Sequence, residues 1–395
     1  MNTHLTDLAR RLIAFDTTSA KTNVPLIDVV AERLEAIGFR VSRQSWTTDG
    51  VEKANLVAVA GPAEPGGVIV SGHTDTVPFA DQPGWTHEPL ALEIGDERVY
   101  GRGTTDMKVF IAQAIEAART IGVANLARPL VFIFTADEEI GCLGAERLAP
   151  ELTALLGDVP LPSVCWIGEP TSWEIHHAHK SYAVFDVRIR GRGGHSGLPD
   201  AGVSAVGAAG AVLAEIGRYQ QELRAQPSSA FAAVFPDAPF ATVNVGTIHG
   251  GSAANMIADA CAIRLSTRSL PDADPLAAYR EIGRRLQALD ARDPATSSGA
   301  AEVSLSEALA VPALHSPRDT SLERALVAEL GERDVRGALL GADGCRWQSL
   351  GIASLICGPG DFREAHQPNE SLSRQTFESG PTIIAAVVRR LLCSS

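Results

Sequence analysis

At 395 residues the chain is too long for one ordinary core, and its 45% hydrophobic content and mean hydropathy of +0.05 describe a soluble globular protein of two domains. A formal charge of −13 without any basic tract argues against nucleic acid and anionic membranes as partners, and no stretch approaches the run of about 18 apolar residues that a membrane helix needs. Cys142, Cys165, Cys261, Cys345, Cys357 and Cys393 form no Cys-x-x-Cys pair and no framework spacing, so the thiols are read as reduced and structural zinc held by thiolates is not expected.

The N-terminal segment carries Leu5, Leu8, Leu12 and Ile13 at helical spacing with charged residues between them, unlike a secretion signal, and the expected location is the cytoplasm. Residues 23–37 predict a second helix, with Leu26, Val29, Val30, Leu34 and Ile37 on one face and Gly38 placed to end it. Short strands are expected at 40–44 and 56–60. Pro62, Pro65 and Gly66-Gly67 then turn the chain into the β-branched run Val68-Ile-Val-Ser-Gly-His73, the pattern of a buried strand. Residues 79–100 read as a loop with a short β excursion. The pair Gly101-x-Gly103 lacks the third glycine of a nucleotide loop and is read as a tight turn presenting Asp106 at a helix start. That helix carries Ile111, Ala114, Ile115 and Ala118. Two further apolar strands, at 130–135 and 164–168, end in Asp137-Glu138-Glu139 and in Glu169-Pro-Thr.

From about Ser181 the pattern changes. Strands at 182–190, 241–248, 258–269 and 301–309 and helices at 201–219 and 277–289 give the order β-α-β-β-α-β of a ferredoxin-like module, with a small-residue loop at 291–301. Pro312 and Pro317 mark the return to the larger α/β domain. A helix at 322–330, a strand at 353–357, a loop through His366 and Glu370, and a closing helix complete the chain.

In open α/β sheets ligands bind beyond the carboxyl ends of the strands, where His73, Glu138, Glu139 and Glu169 all fall. Asp75 is placed to orient His73, because a carboxylate beside an imidazole fixes its tautomer and raises its basicity. Carboxylate and imidazole donors without thiolates suit zinc, cobalt or manganese. With Asp106 and His366 added, three carboxylates balance three of the four charges on two divalent ions, and the pair keeps enough charge to acidify a water and polarise a carbonyl. Asp106 on its glycine-supported turn is the candidate bridge. Adjacent Glu138 and Glu139 call for two roles, one as ligand and one as proton acceptor, and both reach the site only if the strand has broken, which Gly141 permits.

Ser71-Gly-His-Thr-Asp-Thr-Val-Pro-Phe79, Tyr100-Gly-x-Gly-Thr-x-Asp-Met-Lys108, Thr135-Ala-Asp-Glu-Glu139, Ile167-Gly-Glu-Pro-Thr-Ser172 and Gly358-Pro-Gly…Ala365-His-Gln-Pro-x-Glu370 resemble the acetylornithine deacetylase and succinyl-diaminopimelate desuccinylase family of co-catalytic zinc hydrolases. The resemblance implies His73 and Glu169 on one metal, Glu139 and His366 on the other, Asp106 bridging, Glu138 as general base and Asp75 behind His73. It implies an α/β zinc-peptidase-like catalytic domain, residues 1–180 and 312–395, with an inserted ferredoxin-like α+β lid at 181–311 that dimerises. The cofactors implied are two divalent ions, Zn or Co. His195, in Gly191-Arg-Gly-Gly-His-Ser-Gly, resembles the family histidine that reaches the neighbouring subunit's site and stabilises the oxyanion. Arg268 falls where the family holds a substrate carboxylate, with Asn244 and His249 as further substrate-binding candidates. His176, His177 and His179 are read as supporting or structural.

Within the family, Ala178-His-Lys-Ser, Phe79 and Ile248-His-Gly-Gly are similar to the acetylornithine branch, whereas Gly341-Ala-Asp-Gly-Cys-Arg-Trp347 leans toward the desuccinylase. The expected reaction is hydrolysis of N-acetyl-L-ornithine, a small N-acyl amino acid, in arginine synthesis. The alternatives are the same chemistry on N-succinyl-LL-diaminopimelate and, from another class, a catalytically silent metal-binding regulatory dimer.

Overall fold

A computed structural model of the chain describes residues 2–293, 298–332, 334 and 336–394. The chain divides into two compact units, Met1–Ala178 with Leu314–Ser395, and His179–Ala313.

The first unit is built on a nine-stranded sheet. At its centre Leu130–Thr135, Val68–His73, Val164–Ile167 and Ala353–Ile356 lie side by side and parallel. Three of the four strands are buried along their whole length and Ala353 alone is partly exposed, which is why they read as apolar runs rather than as alternating patterns. Because neighbours run the same way, their carboxyl ends open on one edge of the sheet. The residues that follow them, Thr74, Ala136, Gly168 and Cys357, begin the loops that carry the site. Trp166 locks this arrangement. It is fully buried, meets Phe110 edge-on at 6.2 Å, and donates its indole N–H to the Cys357 carbonyl at 2.5 Å. Its truncation to Ala removes about 3–5 kcal/mol.

Arg40–Thr48 and Val51–Ala60 form an antiparallel hairpin longer than the two short strands expected, because Asp49 and Gly50 both take positive φ, the turn geometry that matches strand twist. The β excursion expected within 79–100 is Glu93–Ile94 and Arg98–Tyr100. It pairs with Ser371–Ser373, which sets Glu370 beside Gly101. Helices Lys108–Ile121 and Arg374–Leu392 pack on each other, the first buried along nearly its whole length.

In the second unit the strand order is Thr242–Gly250, Ala260–Arg268, Tyr182–Arg190, Glu302–Leu305, all antiparallel. With helices Ala205–Arg224 and Ala277–Gln287 this is the ferredoxin-like arrangement. Phe185, Val187, Ile189, Val212, Ile216, Ile263, Leu265 and Ile282 make its core. The helix expected from 201 starts at Ala205, where the Ser204 hydroxyl accepts the Gly207 N–H at 3.0 Å and caps it. The last strand, expected to run unbroken over 301–309, is two pieces, Glu302–Leu305 and Leu309–Val311, both on Tyr182–Arg190. Ser306 interrupts it by exchanging bonds with the Asp186 backbone through its own N–H and its hydroxyl, each at 2.9 Å. Positions 294–297 of the 291–301 loop lie outside the described residues. Among the described residues no helix is long and apolar enough to cross a membrane.

Candidate metal centre

Each side chain of the centre in the first unit is delivered by a strand end or by a turn that the sequence forces. His73 closes its strand with 1% exposure. Its Nδ1 faces the Asp75 carbonyl oxygen at 3.0 Å, and its Nε2 lies 2.9 Å from Asp106 Oδ1 and 3.7 Å from Glu169 Oε1. The polypeptide therefore fixes the ring so that Nε2 points at two carboxylates. Asp75 was expected to do this with its side chain. That carboxylate is farther from Nδ1, at 3.6 Å, because it accepts the Ser19 hydroxyl at 2.7 Å and the N–H groups of Glu138 and Glu139 at 3.1 and 3.3 Å. Asp75 thus ties the acidic loop to the His73 strand.

The break that frees both glutamates comes before Gly141, at Asp137, which takes a positive φ of 57°. Lys53 holds Asp137 there, its ammonium donating to the carboxylate at 2.7 Å and to the Ser19 carbonyl at 2.6 Å. Asp106 is fixed by Glu370, which is fully buried. Glu370 Oε1 accepts the backbone N–H groups of Gly103, Thr105 and Asp106 at 2.9–3.0 Å, and Oε2 accepts from Arg102 at 2.7 Å. Close approach also matters behind Glu169. A Cβ on Gly168 would lie 2.1 Å from the Phe110 ring, so only glycine lets this turn sit on the Lys108–Ile121 helix.

Asp106 faces both ways. One oxygen meets His73, and the other lies 3.1 Å from His366 Nε2, which is also 3.1 Å from Glu139 Oε2. His73, Glu169, Asp106, Glu139 and His366 therefore form two nitrogen-and-carboxylate sets sharing one aspartate. Glu138 lies beside them. Asp343, 2% exposed, accepts the Thr135 hydroxyl at 2.5 Å and leaves its other oxygen without a partner.

The electrostatics follow from burying so many acids together. Burial pushes Glu138 and Glu169 well above the ordinary carboxylate range and raises Glu139, with neighbouring carboxylates adding to each shift. Burial, with smaller contributions from Cys345 and Asp75, also raises Asp343, to about 6. Asp106 moves the other way: burial opposes it, but two imidazoles hold it ionised and low. Burial would lower His73, yet Glu169, Asp106 and Asp75 carry it well above its usual value. His366 is lifted to about 10 by Asp106 and Glu139. Among the described residues, His73 and His366 make the ion pairs of Asp75, Asp106, Glu139 and Glu169, and Glu138 and Asp343 have none. The donor set fits hard or borderline divalent cations shared through Asp106: oxygen and imidazole ligands, anionic in excess, with the tautomer of His73 already fixed.

His177 Nδ1 faces the Ser316 carbonyl at 3.1 Å in the first unit, a structural contact. His195, Asn244, His249 and Arg268 belong to the second unit. His195 is exposed on the short Gly194–His195 strand, its Nδ1 accepting the Gly197 N–H at 3.0 Å, and Asn244 and His249 are exposed on Thr242–Gly250. Arg268 lies 5.1 Å over the Tyr182 ring, with burial lowering its pKa. Sequence reasoning assigned no role to Glu370, Lys53, Ser19 or Asp343. Glu370 ended a family-like block and Asp343 stood in the segment leaning toward the desuccinylase; Lys53 and Ser19 gave no signal.

Residues 69–390 match the family described as Peptidase family M20/M25/M40. An acetylornithine deacetylase from Myxococcus xanthus is 36% identical over 381 residues, covering 95% of this chain and 94% of that protein. One from Klebsiella pneumoniae (strain 342) is 34% identical over 390 residues, covering 97% and 96%. The crystal structure of human carnosine dipeptidase 1, 18% identical, has the same fold with a TM-score of 0.76 over 98% of this chain and 95% of that one. On sequence, fold and the arrangement of donors, the chain belongs to peptidase family M20/M25/M40.

Proposed function

We propose that the protein is a metal-dependent amide hydrolase that removes the acetyl group from N-acetyl-L-ornithine, giving L-ornithine and acetate in arginine synthesis. The observation that carries the reaction class is the two-sided presentation of Asp106, 2.9 Å from one histidine and 3.1 Å from the other, with a glutamate on each side. The substrate rests on the name shared by the two relatives reported above and on the motifs around Phe79 and Ala178.

His73 and Glu169 would hold one divalent ion, Zn or Co, and Glu139 and His366 a second, with Asp106 between them. Such a pair, when bound, supplies a water acidified from 15.7 to about 7 and a polarised amide carbonyl. Glu138 takes the proton of the attacking water and passes it to the leaving amine nitrogen. Its burial keeps its basicity up, which suits it to both transfers. Asp75 and Glu370 keep Glu138, Glu139 and Asp106 in place. Residues 1–180 and 312–395 form the catalytic domain, and residues 181–311 act as a lid through which a cytoplasmic homodimer forms. His195 is assigned to oxyanion stabilisation in the neighbouring subunit's site, and Arg268, Asn244 and His249 to the substrate's amino-acid end.

The test is to strip the protein with a chelator, restore Zn or Co, and measure free amine released from N-acetyl-L-ornithine and N-succinyl-LL-diaminopimelate in parallel. Metal-dependent turnover of the acetyl substrate is expected. Preference for the succinyl substrate overturns the choice of acyl group, and turnover of neither overturns the substrate class.

A further inference from the structure

Behind Glu138, the proposed base, lie Cys142, Asp343 and Cys345, none of which the proposed reaction uses. Ligand atoms of Glu138, Cys142 and Asp343 all lie within 4.8 Å of one another. Cys142 donates its S–H to Glu138 Oε1 at 3.5 Å, and the Cys345 thiol sits within hydrogen-bonding reach of Cys142. Cys142, Asp343 and Cys345 are 2–3% exposed. Asp343 Oδ1 is buried there without a hydrogen-bond partner, although such groups are nearly always satisfied. Among the described residues neither Glu138 nor Asp343 has an ion pair. Arg346 is engaged with the Gly141 carbonyl at 3.1 Å and with Glu146 at 3.2 Å.

We propose that Glu138, Cys142 and Asp343, with Cys345 alongside, form a third cation site for a thiophilic divalent ion such as zinc or cadmium, separate from the His73–Asp106–His366 centre. One thiolate with carboxylate oxygens is a donor set for these ions, and it differs from the thiol-free set of the main centre. Binding removes the proton of Cys142 to solvent and leaves the sulfur as the anionic ligand. It also supplies the positive charge that Asp343 Oδ1 lacks. Because Glu138 becomes a ligand, its carboxylate no longer accepts a proton from water, so a surplus of the activating metal shuts the enzyme down. This last consequence rests on the role proposed above for Glu138.

The test uses the full chain, first loaded with two equivalents of zinc in a non-chelating reductant, then titrated with Cd²⁺. An ultraviolet thiolate-to-cadmium charge-transfer band saturating at one further equivalent is expected, absent from Cys142→Ser and weakened in Asp343→Asn. Both variants are to be checked by circular dichroism. Turnover should fall tenfold or more along the same titration, since a positioned base contributes about 10²–10⁴-fold. Inhibition without the band, or a band undiminished in Cys142→Ser, overturns the site. A band with undiminished turnover upholds the site and overturns instead the assignment of Glu138 as base.

Discussion

The two histidines on either side of Asp106 live in different surroundings. His73 ends a central strand, its side chain 1% exposed, with its ring held by a backbone carbonyl. His366 sits in a loop at a positive φ of 61°, its side chain half exposed. One half of the centre is thus built by the sheet and the other is brought to it by a loop. In the first, the cost of assembling charge is met by folding itself; in the second, water still reaches the imidazole, and its contacts are worth correspondingly less.

Glu138 belongs to neither half, and its change to Gln is expected to have the largest effect, a loss of turnover of about 10²–10⁴-fold with both ions retained. Kinetics and metal analysis on the same sample check this, and loss of an ion would move Glu138 into the ligand set. Next come the histidines themselves. His73→Ala leaves Glu169 buried without its imidazole and Asp106 with His366 alone, and should destabilise the metal-free protein by about 3–5 kcal/mol, whereas His366→Ala should stay within about 1 kcal/mol. Urea denaturation of both variants in chelator decides it. Equal losses would break the contrast drawn here.

A smaller effect is expected from pH. The folded protein raises His366 from 6.5 to about 10, and His73 shifts the same way. A group whose folded value is raised stabilises fully below its unfolded pKa and loses that stabilisation as pH rises through the folded one. Metal-free protein should therefore lose stability between about pH 6.5 and 10. Zinc-loaded protein, which needs neutral imidazoles as ligands, should show a flatter profile. The smallest difference expected is kinetic: isotopically labelled zinc should exchange faster at the half holding His366 than at the half holding His73. A single exchange rate for both ions would count against the contrast.

Much of this was legible before the fold was known. Parallel strands buried on both faces announce themselves as apolar runs, so His73, Glu139 and Glu169 could be placed at strand ends from periodicity alone. Tertiary partners could not. Lys53 falls between the two short strands expected, and only the hairpin's extension to Val51 shows it reaching Asp137. Cys142 and Cys345 are far apart in sequence and form no metal-binding spacing, so their meeting at Glu138 is a product of packing rather than of any motif. Ser306 broke an expected strand because a short polar side chain competes for the neighbouring strand's backbone, a choice that propensity leaves open.

Glu370 has a consequence in time as well as in space. The carboxylate that gathers the backbone of Gly103, Thr105 and Asp106 is made 264 to 267 residues later than the groups it binds. Contacts of that sequence separation are slow to form, and this one waits on synthesis as far as Glu370. A nascent chain can complete its central strands and still present Asp106 on an untethered turn. On the proposed ligand set, capture of both ions is therefore a late event in the life of the molecule, and an ion held across Asp106 would certify that the chain has been translated past Glu370.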